Sequence, residues 1–174
     1  DTRAITRRLR TQGVMMGILS QDEPNVSLRK LKELPQYGEM DLVREVTTEQ
    51  SYDWEKPMKS DGKVAPKVLV LDCGLKFNIL RLLRKRGCQV TIIPANTPAK
   101  IILELKADGM VLSPGPGDPA LLNYVISNTT ELLGRLPMMG ICLGHQIIAR
   151  ALGAKTFKLK QTKNELVQII TIYL

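Results

Sequence analysis

Apolar residues follow two patterns along residues 67–174, and the two patterns alternate. Short runs of consecutive apolar residues predict buried strands, whereas apolar residues at every third or fourth position predict helices. The predicted strands are 67–71, 89–93, 109–112 and 136–141, and the predicted helices are 77–86, 98–106, 120–136 and 143–152. An outer strand with period-two alternation is predicted at 155–159. Strands separated by helices of this length form right-handed crossovers, so the pattern predicts an α/β domain with a doubly wound, mostly parallel sheet.

Residues 1–51 show a weaker pattern and predict fewer elements. These elements are a helix at 1–13 capped by Asp1 or Thr2, a strand at 14–19, and a helix at 25–34 that ends before Pro35. Residues 52–66 are polar, contain prolines and a glycine, and show no apolar period, which predicts a linker. We therefore expect part of a smaller N-terminal domain at 1–51, the linker at 52–66, and the α/β domain at 67–174.

The composition is that of an ordinary globular protein, with 44% hydrophobic and 24% charged residues. No apolar run approaches the roughly 18 residues of a membrane-spanning helix, and no signal-peptide pattern stands at the N-terminus, so we expect no membrane partner. Three cysteines without a Cys-x-x-Cys pair, together with a single histidine, favour neither disulfides nor a metal site. We therefore expect a reducing compartment, which is the cytoplasm or the stroma of a plastid or other organelle.

The net charge of +8 raises the question of nucleic-acid binding. Basic and acidic residues balance over 1–65, and the basic excess lies in 66–174, where the charges are scattered without aromatic residues between them. Surfaces that bind single-stranded nucleic acid combine a positively charged groove with aromatic stacking residues. The sequence therefore predicts no nucleic-acid partner, and the basic surface suits an acidic protein partner equally well.

Cys142 lies between the predicted strand 136–141 and the predicted helix 143–152. A side chain in a tight turn between a strand and a helix projects from the sheet edge, beside the free N–H groups of the helix. Gly140 and Gly144 would let the strand, turn and helix backbones approach one another closely. The positive end of the helix dipole would stabilise a thiolate there, which suits a nucleophile. The spacing alone leaves open that Cys142 is a small buried hydrophobic residue, as most free cysteines are.

A loop rich in proline and glycine at 113–119 follows the predicted strand 109–112. In a doubly wound sheet, the carboxyl ends of the strands meet at one edge, so this loop and Cys142 should line the same edge. Glycines without side chains, here Gly115 and Gly117, let backbone N–H groups approach the negative charge that develops on a carbonyl oxygen. By itself, such a loop is more often an ordinary turn.

Three motifs at these strand ends resemble the class I glutamine amidotransferases: Gly-Ile-Cys-Leu-Gly-His-Gln at 140–146, Gly-Pro-Gly-Asp-Pro at 115–119, and Asp-Cys-Gly-Leu-Lys-Phe-Asn-Ile at 72–79. The first and third look most like the small, glutaminase subunit of carbamoyl-phosphate synthase. Residues 1–7, Asp-Thr-Arg-Ala-Ile-Thr-Arg, and residues 40–48 are similar to the later part of that subunit's N-terminal domain. The resemblance implies a class I glutamine amidotransferase fold for the α/β domain.

The resemblance also implies a chemistry and a set of roles. In this family a cysteine attacks the side-chain amide of L-glutamine, forms a glutamyl thioester and releases ammonia. The resemblance implies Cys142 as the nucleophile and the backbone N–H groups of Gly115 and Leu143 as donors to the oxyanion. Gly117 and Gln146 are implied among the groups that contact bound glutamine. It implies no metal and no cofactor in this chain.

A partner follows from the same resemblance. The family's small subunit supplies ammonia to the large, synthetase subunit of carbamoyl-phosphate synthase. The large subunit uses ATP and Mg²⁺ to make carbamoyl phosphate for pyrimidine and arginine synthesis. We therefore expect the ATP and magnesium sites to lie on the partner.

Two further hypotheses stand beside the glutaminase. The family's catalytic histidine and glutamate lie downstream of the last residue here, so we expect this chain alone to hydrolyse glutamine slowly or not at all. One alternative is therefore a truncated, catalytically inactive amidotransferase-like module for binding or regulation. Another is a cysteine hydrolase on a related α/β scaffold, although the loop at 113–119 and the motif at 1–7 argue against it. Structural roles are expected for His145, Cys73 and Cys88.

Overall fold

The computed structural model describes residues 1–12, 15–35, 37–55 and 65–156. The chain divides into two compact units, whose described residues lie within 1–40 and 41–156 respectively. No helix among these residues is long and apolar enough to cross a membrane.

The first unit contains two helices, α1 (Thr2–Gln12) and α2 (Pro24–Glu33), and a short 3₁₀ helix (Tyr37–Glu39). The predicted cap of α1 is confirmed, because the Asp1 carboxylate accepts hydrogen bonds from the N–H groups of Arg3 and Ala4 at 3.0 and 3.1 Å. The predicted strand at 14–19 is wrong where it can be seen, since residues 15–19 form no strand, and Val14 lies outside the described residues. Apolar character alone does not make a strand without a neighbour to pair with.

The second unit is the α/β domain. Its strands are β1 (Tyr52–Asp53), β2 (Lys67–Asp72), β3 (Gln89–Pro94), β4 (Gly109–Leu112) and β5 (Met138–Gly140). Its helices are α3 (Val43–Val46), α4 (Phe77–Lys85), α5 (Ala99–Glu104), α6 (Asn123–Leu132) and α7 (Leu143–Ala151), with a 3₁₀ helix at Pro119–Leu121. The strands form one sheet in the order β1-β3-β2-β4-β5, in which β1 is antiparallel and the other neighbours are parallel. The predicted α/β class and mostly parallel sheet are confirmed.

Strand β1 lies within the stretch predicted to be a linker. Tyr52 and Asp53 pair with Ile92 and Thr91 at the edge of the sheet. A two-residue strand has no apolar period, so the sequence pattern could not reveal it. The second compact unit also begins at Asp41, inside the stretch 1–51 predicted to be part of the N-terminal domain. The assignment of 1–51 to an N-terminal domain of the family stays a prediction.

Other element ends differ by a few residues. Helix α6 ends at Leu132 rather than at 136, and Gly134 follows with a φ of 70°, a backbone conformation that ends a helix readily when the residue is glycine. The outer strand predicted at 155–159 is absent from residues 155 and 156, while 157–159 lie outside the described residues.

The sheet is covered by apolar residues on both faces. Side chains alternate between the faces along each strand, so Leu69 and Leu71 enter one cluster while Val70 enters the other. Helices α5, α6 and α7 contribute to the first cluster, and α4 contributes Leu80 to the second. Each fully buried Val or Leu side chain stabilises the fold by about 1.5–3 kcal/mol. This packing gives a rigid platform whose strand ends carry the candidate site.

Candidate active site

The loops that follow β2, β4 and β5 meet at one edge of the sheet. From β2 the chain continues to β3 on one side, while β4 lies on the other side, so the strand order reverses between β2 and β4. Ligands bind at such a reversal in doubly wound sheets. The register pairs Leu71 with Leu112, and Leu112 with Gly140, so the three strands end at the same level. The expectation that Cys142 and the loop at 113–119 share one edge is confirmed.

Cys142 occupies a strained turn between β5 and α7. Its φ of 54° and ψ of −111° lie outside the regions that residues with a side chain normally adopt. A conformation of this kind costs about 1–3 kcal/mol and is typical of functional sites. Hydrogen bonds hold the turn on both sides: Ile141 N–H donates to Leu112 C=O at 3.0 Å, and Gln146 N–H donates to Cys142 C=O at 3.1 Å. The thiol-bearing residue is exposed to solvent.

Two glycines make this turn possible, which together with its flanking residues forms the elbow (residues 140–144). A Cβ atom on Gly140 would overlap the backbone of Gly144 and His145, and a Cβ atom on Gly144 would overlap the carbonyl group of Leu112. The obstacles are backbone atoms, which cannot rotate away as a flexible side chain can. The elbow can therefore form only with glycine at both positions, as the sequence pattern indicated.

The Gly/Pro loop, residues 113–119, packs directly against the elbow. A Cβ atom on Gly115 would overlap the Cys73 carbonyl oxygen and would lie 2.8 Å from Cδ2 of Leu143. Gly115 is thus enclosed between the loop after β2 and the residue that follows Cys142. Gly117 adopts a φ of 92°, which glycine tolerates better than other residues.

The predicted oxyanion donors belong to neighbouring segments. The Leu143 side chain is 2% exposed and sits in the core, while its N–H group is the first of α7. Helical hydrogen bonds run four residues back, so this N–H group has no partner within the helix. The N-terminus of a nine-residue helix also favours negative charge. The roles of Gly115 and Leu143 as donors stay predictions.

The other predicted residues on α7 flank the thiol. Gln146 is exposed and lies four positions after Cys142, which places the two residues on the same side of the helix start. His145 is half-buried. Neither the contact of Gln146 with glutamine nor the structural role of His145 is tested by this geometry.

Cys142 differs from the other two cysteines in exposure. Cys73 is fully buried, and Cys88 is half-buried. Burial, together with the negative charges of Asp72 and Asp41, raises the pKa of the Cys73 thiol to about 12. Cys73 therefore stays a neutral thiol near pH 7, a poor nucleophile, which supports its expected structural role.

Two polar side chains to which the sequence analysis gave no role hold the loops in place. The Asp72 carboxylate accepts hydrogen bonds from the N–H groups of Gly74 and Leu75 at 2.9 Å and of Thr48 at 3.0 Å. The Ser113 hydroxyl accepts one from Cys73 N–H at 2.8 Å. The sequence did contain a signal for both residues, which is a polar residue at the carboxyl end of a buried apolar strand. Asp72 is the last residue of β2, and Ser113 directly follows β4.

A cavity of about 430 Å³ lies beside this edge. Its lining residues are Val46, Thr48, Tyr52, Asp72, Gly74, Leu75, Phe77 and Pro116. Cys142 and the four residues expected to bind substrate are not among them. Within the ranges that the structure describes, no three His, Cys, Asp or Glu side chains cluster as metal ligands.

Known proteins match both parts of the chain. The family model described as glutamine amidotransferase class-I matches residues 69–170. The carbamoyl phosphate synthase small chain of Methanopyrus kandleri is 45% identical over 166 residues, covering 92% of this chain and 44% of that protein. The corresponding protein of Porphyra purpurea is 45% identical over 173 residues, covering 92% and 45%. The rice protein named "carbamoyl phosphate synthase small chain, chloroplastic" is 43% identical over 170 residues, covering 92% and 38%. The chain spans less than half the length of these relatives.

Proposed function

The chain belongs to the class I glutamine amidotransferase family, and from this premise we propose that it carries the glutaminase centre of a carbamoyl-phosphate synthase small subunit. The observation that carries the proposal is the exposed Cys142, held at a φ of 54° at the start of α7 and next to the Gly/Pro loop. The likeness to carbamoyl phosphate synthase small chains supports this branch of the family over other amidotransferases.

In the first step, the Cys142 sulfur attacks the side-chain carboxamide carbon of L-glutamine. The carbon–sulfur bond forms, and the electron pair of the C=O bond moves to the oxygen. The N–H groups of Gly115 and Leu143 donate hydrogen bonds to that oxygen. Such donors act mainly in the transition state, and the loss of one typically costs about 10²- to 10³-fold in kcat.

In the second step, the carbon–nitrogen bond breaks and ammonia leaves with an added proton, so that a glutamyl thioester remains on Cys142. Water then attacks the thioester, which releases glutamate and restores the thiol. Formation and hydrolysis of the thioester both need a general base, which takes a proton from the thiol or from water and returns it to the leaving group. We assign this role to none of the described residues; His145 is proposed as a structural part of α7, and Gly117 and Gln146 as contacts for glutamine.

The ammonia would pass to a large, synthetase subunit that holds ATP and Mg²⁺ and makes carbamoyl phosphate for pyrimidine and arginine synthesis. The compartment that fits is the cytoplasm or, as the word chloroplastic in the name of the rice relative suggests, a plastid stroma. The proposed cofactors lie on the partner, and none is assigned to this chain.

The test uses the complete protein assembled with its large subunit. We expect Cys142→Ser to abolish glutamine-dependent synthesis of carbamoyl phosphate and to leave ammonia-dependent synthesis intact, because only ammonia production uses the thiol. A glutamine analogue with an electrophile at the amide position should label Cys142, as located by mass spectrometry. Cys88→Ser is the matched control and should keep both activities.

Two results would contradict the proposal. Loss of both activities in Cys142→Ser would make the cysteine structural. A complex that binds its partner but releases no ammonia from glutamine would favour the alternative, an amidotransferase-like module for binding or regulation.

A further inference from the structure

We propose that Ser113 is a positioning residue for the oxyanion site, whose hydroxyl group sets the direction in which the Gly115 N–H group points. The proposal rests on the proposed glutaminase function. Ser113 itself need not touch glutamine, because it would act through the peptide group between Pro114 and Gly115.

Ser113 is completely buried, and both its N–H group and its hydroxyl group are hydrogen-bonded. Its N–H group donates to Leu71 C=O at 3.1 Å, at the end of the pairing of β4 with β2. Its hydroxyl oxygen accepts a hydrogen bond from Cys73 N–H at 2.8 Å, and its hydroxyl proton is donated to Pro114 C=O at 2.8 Å. Ser113 is 0% exposed, so water does not reach its hydroxyl group.

The bond to Pro114 C=O determines more than the position of that oxygen. The Pro114 carbonyl and the Gly115 N–H group are the two ends of one planar trans peptide, so they point in opposite directions. Because the carbonyl points at the buried Ser113 hydroxyl, the N–H group points away from it. The Cys73 N–H, the Ser113 hydroxyl and the Pro114–Gly115 peptide thus form one continuous chain of hydrogen bonds, and each bond polarises the next.

Packing holds the rest of the same peptide. Gly115 is confined by the Cys73 carbonyl on one side and Leu143 on the other, where no Cβ atom would fit. These contacts restrict where Gly115 lies, but they do not by themselves prevent the Pro114–Gly115 peptide plane from rotating. The Ser113 hydroxyl supplies that restraint. An oxyanion donor must lie 2.7–3.1 Å from the oxyanion, so rotation of the plane would weaken it.

The experiment measures the complete protein in complex with its large subunit. Ser113→Ala is expected to lower kcat for glutamine hydrolysis about 10-fold or more, with KM changed by less than about 3-fold, because the restraint acts mainly in the transition state. Ammonia-dependent synthesis should stay at the wild-type rate. The rate at which iodoacetamide alkylates Cys142, read by peptide mapping, should also stay unchanged, because Ser113 acts on the oxyanion and not on the thiol.

The matched control is Thr129→Val. Thr129 is 1% exposed, and its hydroxyl donates to Val125 C=O at 2.7 Å within α6, so this variant also loses a buried hydroxyl, but within a helix. It should keep the wild-type kcat. If Ser113→Ala does not fold, Ser113→Cys serves instead, since a thiol of similar size donates and accepts only weakly. Its kcat should be several-fold below wild type.

Each result separates the two proposals. A wild-type kcat in Ser113→Ala or Ser113→Cys, in a complex whose glutaminase depends on Cys142, would overturn the role of Ser113 alone. An equal loss of kcat in Thr129→Val, or slowed alkylation of Cys142 in Ser113→Ala, would show a general structural effect and would also overturn it. A wild-type complex without Cys142-dependent ammonia release would overturn the glutaminase proposal and this one with it.

Discussion

Gly115→Ala is the substitution for which the structure makes the sharpest functional prediction. The added Cβ atom would overlap the Cys73 carbonyl oxygen and would lie 2.8 Å from both Cys73 C and Leu143 Cδ2, whereas ordinary contacts begin near 3.4 Å. The loop must therefore move by at least about 0.6 Å, and by more to clear the carbonyl oxygen.

A displacement of this size is large on the scale of catalysis. A misplacement of about 1 Å can cost on the order of 10²-fold in rate, and an oxyanion donor works only within a narrow range of distances. We expect kcat for glutamine hydrolysis to fall on the order of 10²-fold in the complete complex. Overpacking of this kind also typically costs about 1–3 kcal/mol of stability, which should lower Tm by several degrees.

The assay compares ammonia release from glutamine with ammonia-dependent synthesis of carbamoyl phosphate, and it records Tm for each variant. Gly109→Ala is the matched control, because a Cβ atom at the start of β4 would meet only Pro137 C=O, at an ordinary distance of 3.4 Å. The control should keep both activities. The reasoning would be refuted if Gly115→Ala released ammonia from glutamine at the wild-type rate. It would also be refuted if glutamine hydrolysis and ammonia-dependent synthesis fell equally in this variant.

Two further predictions concern stability. Cys142→Gly should be more stable than Cys142→Ala by about 1 kcal/mol and should have the higher Tm, because glycine adopts a φ of 54° without the strain of a side chain. Equal Tm values would mean that the turn stores no strain. The second prediction is alkaline destabilisation through Cys73, whose pKa burial raises from 9.0 to about 12. The folded protein then binds more protons than the unfolded chain between about pH 9 and pH 12, so the free energy of unfolding falls as pH rises, by up to about 4 kcal/mol. Urea unfolding from pH 8 to pH 11 should show about 3 kcal/mol of this fall in the wild type and a smaller fall in Cys73→Ala; parallel curves would contradict it. The pKa of Tyr124 is raised to about 12 by burial, by Asp41 and in smaller part by Cys73, so Tyr124 adds to the fall in both proteins and adds slightly less in Cys73→Ala.

Local patterns in the sequence were enough to predict the α/β class and most of its elements. The strand at 67–72 and the strand at 109–112 have apolar runs long enough to identify, because burial on both faces leaves no room for polar residues. The elbow was also visible, since Gly140 and Gly144 flank Cys142 within five residues and their role depends on backbone atoms close by in the chain. These features are encoded by neighbours in sequence.

Other features depend on partners that are distant in the sequence. Residues 15–19 are apolar and yet form no strand, whereas Tyr52 and Asp53 form one because β3 offers its edge. No period within either segment distinguishes them. Pairing, rather than propensity, decided both cases.

The sequence by itself determined the alternation of strands and helices, the elbow around Cys142, and the presence of a glycine-rich loop after β4, because each follows from spacing within a few residues. Only the tertiary structure decided which loops meet. The order β3-β2-β4-β5 brings Ser113 to Cys73, forty positions earlier in the chain, and brings Gly115 to Leu143. Such contacts are set by the packing of the whole sheet and its helices, since hydrogen bonds and van der Waals contacts act over a few ångströms in space whatever the separation along the chain.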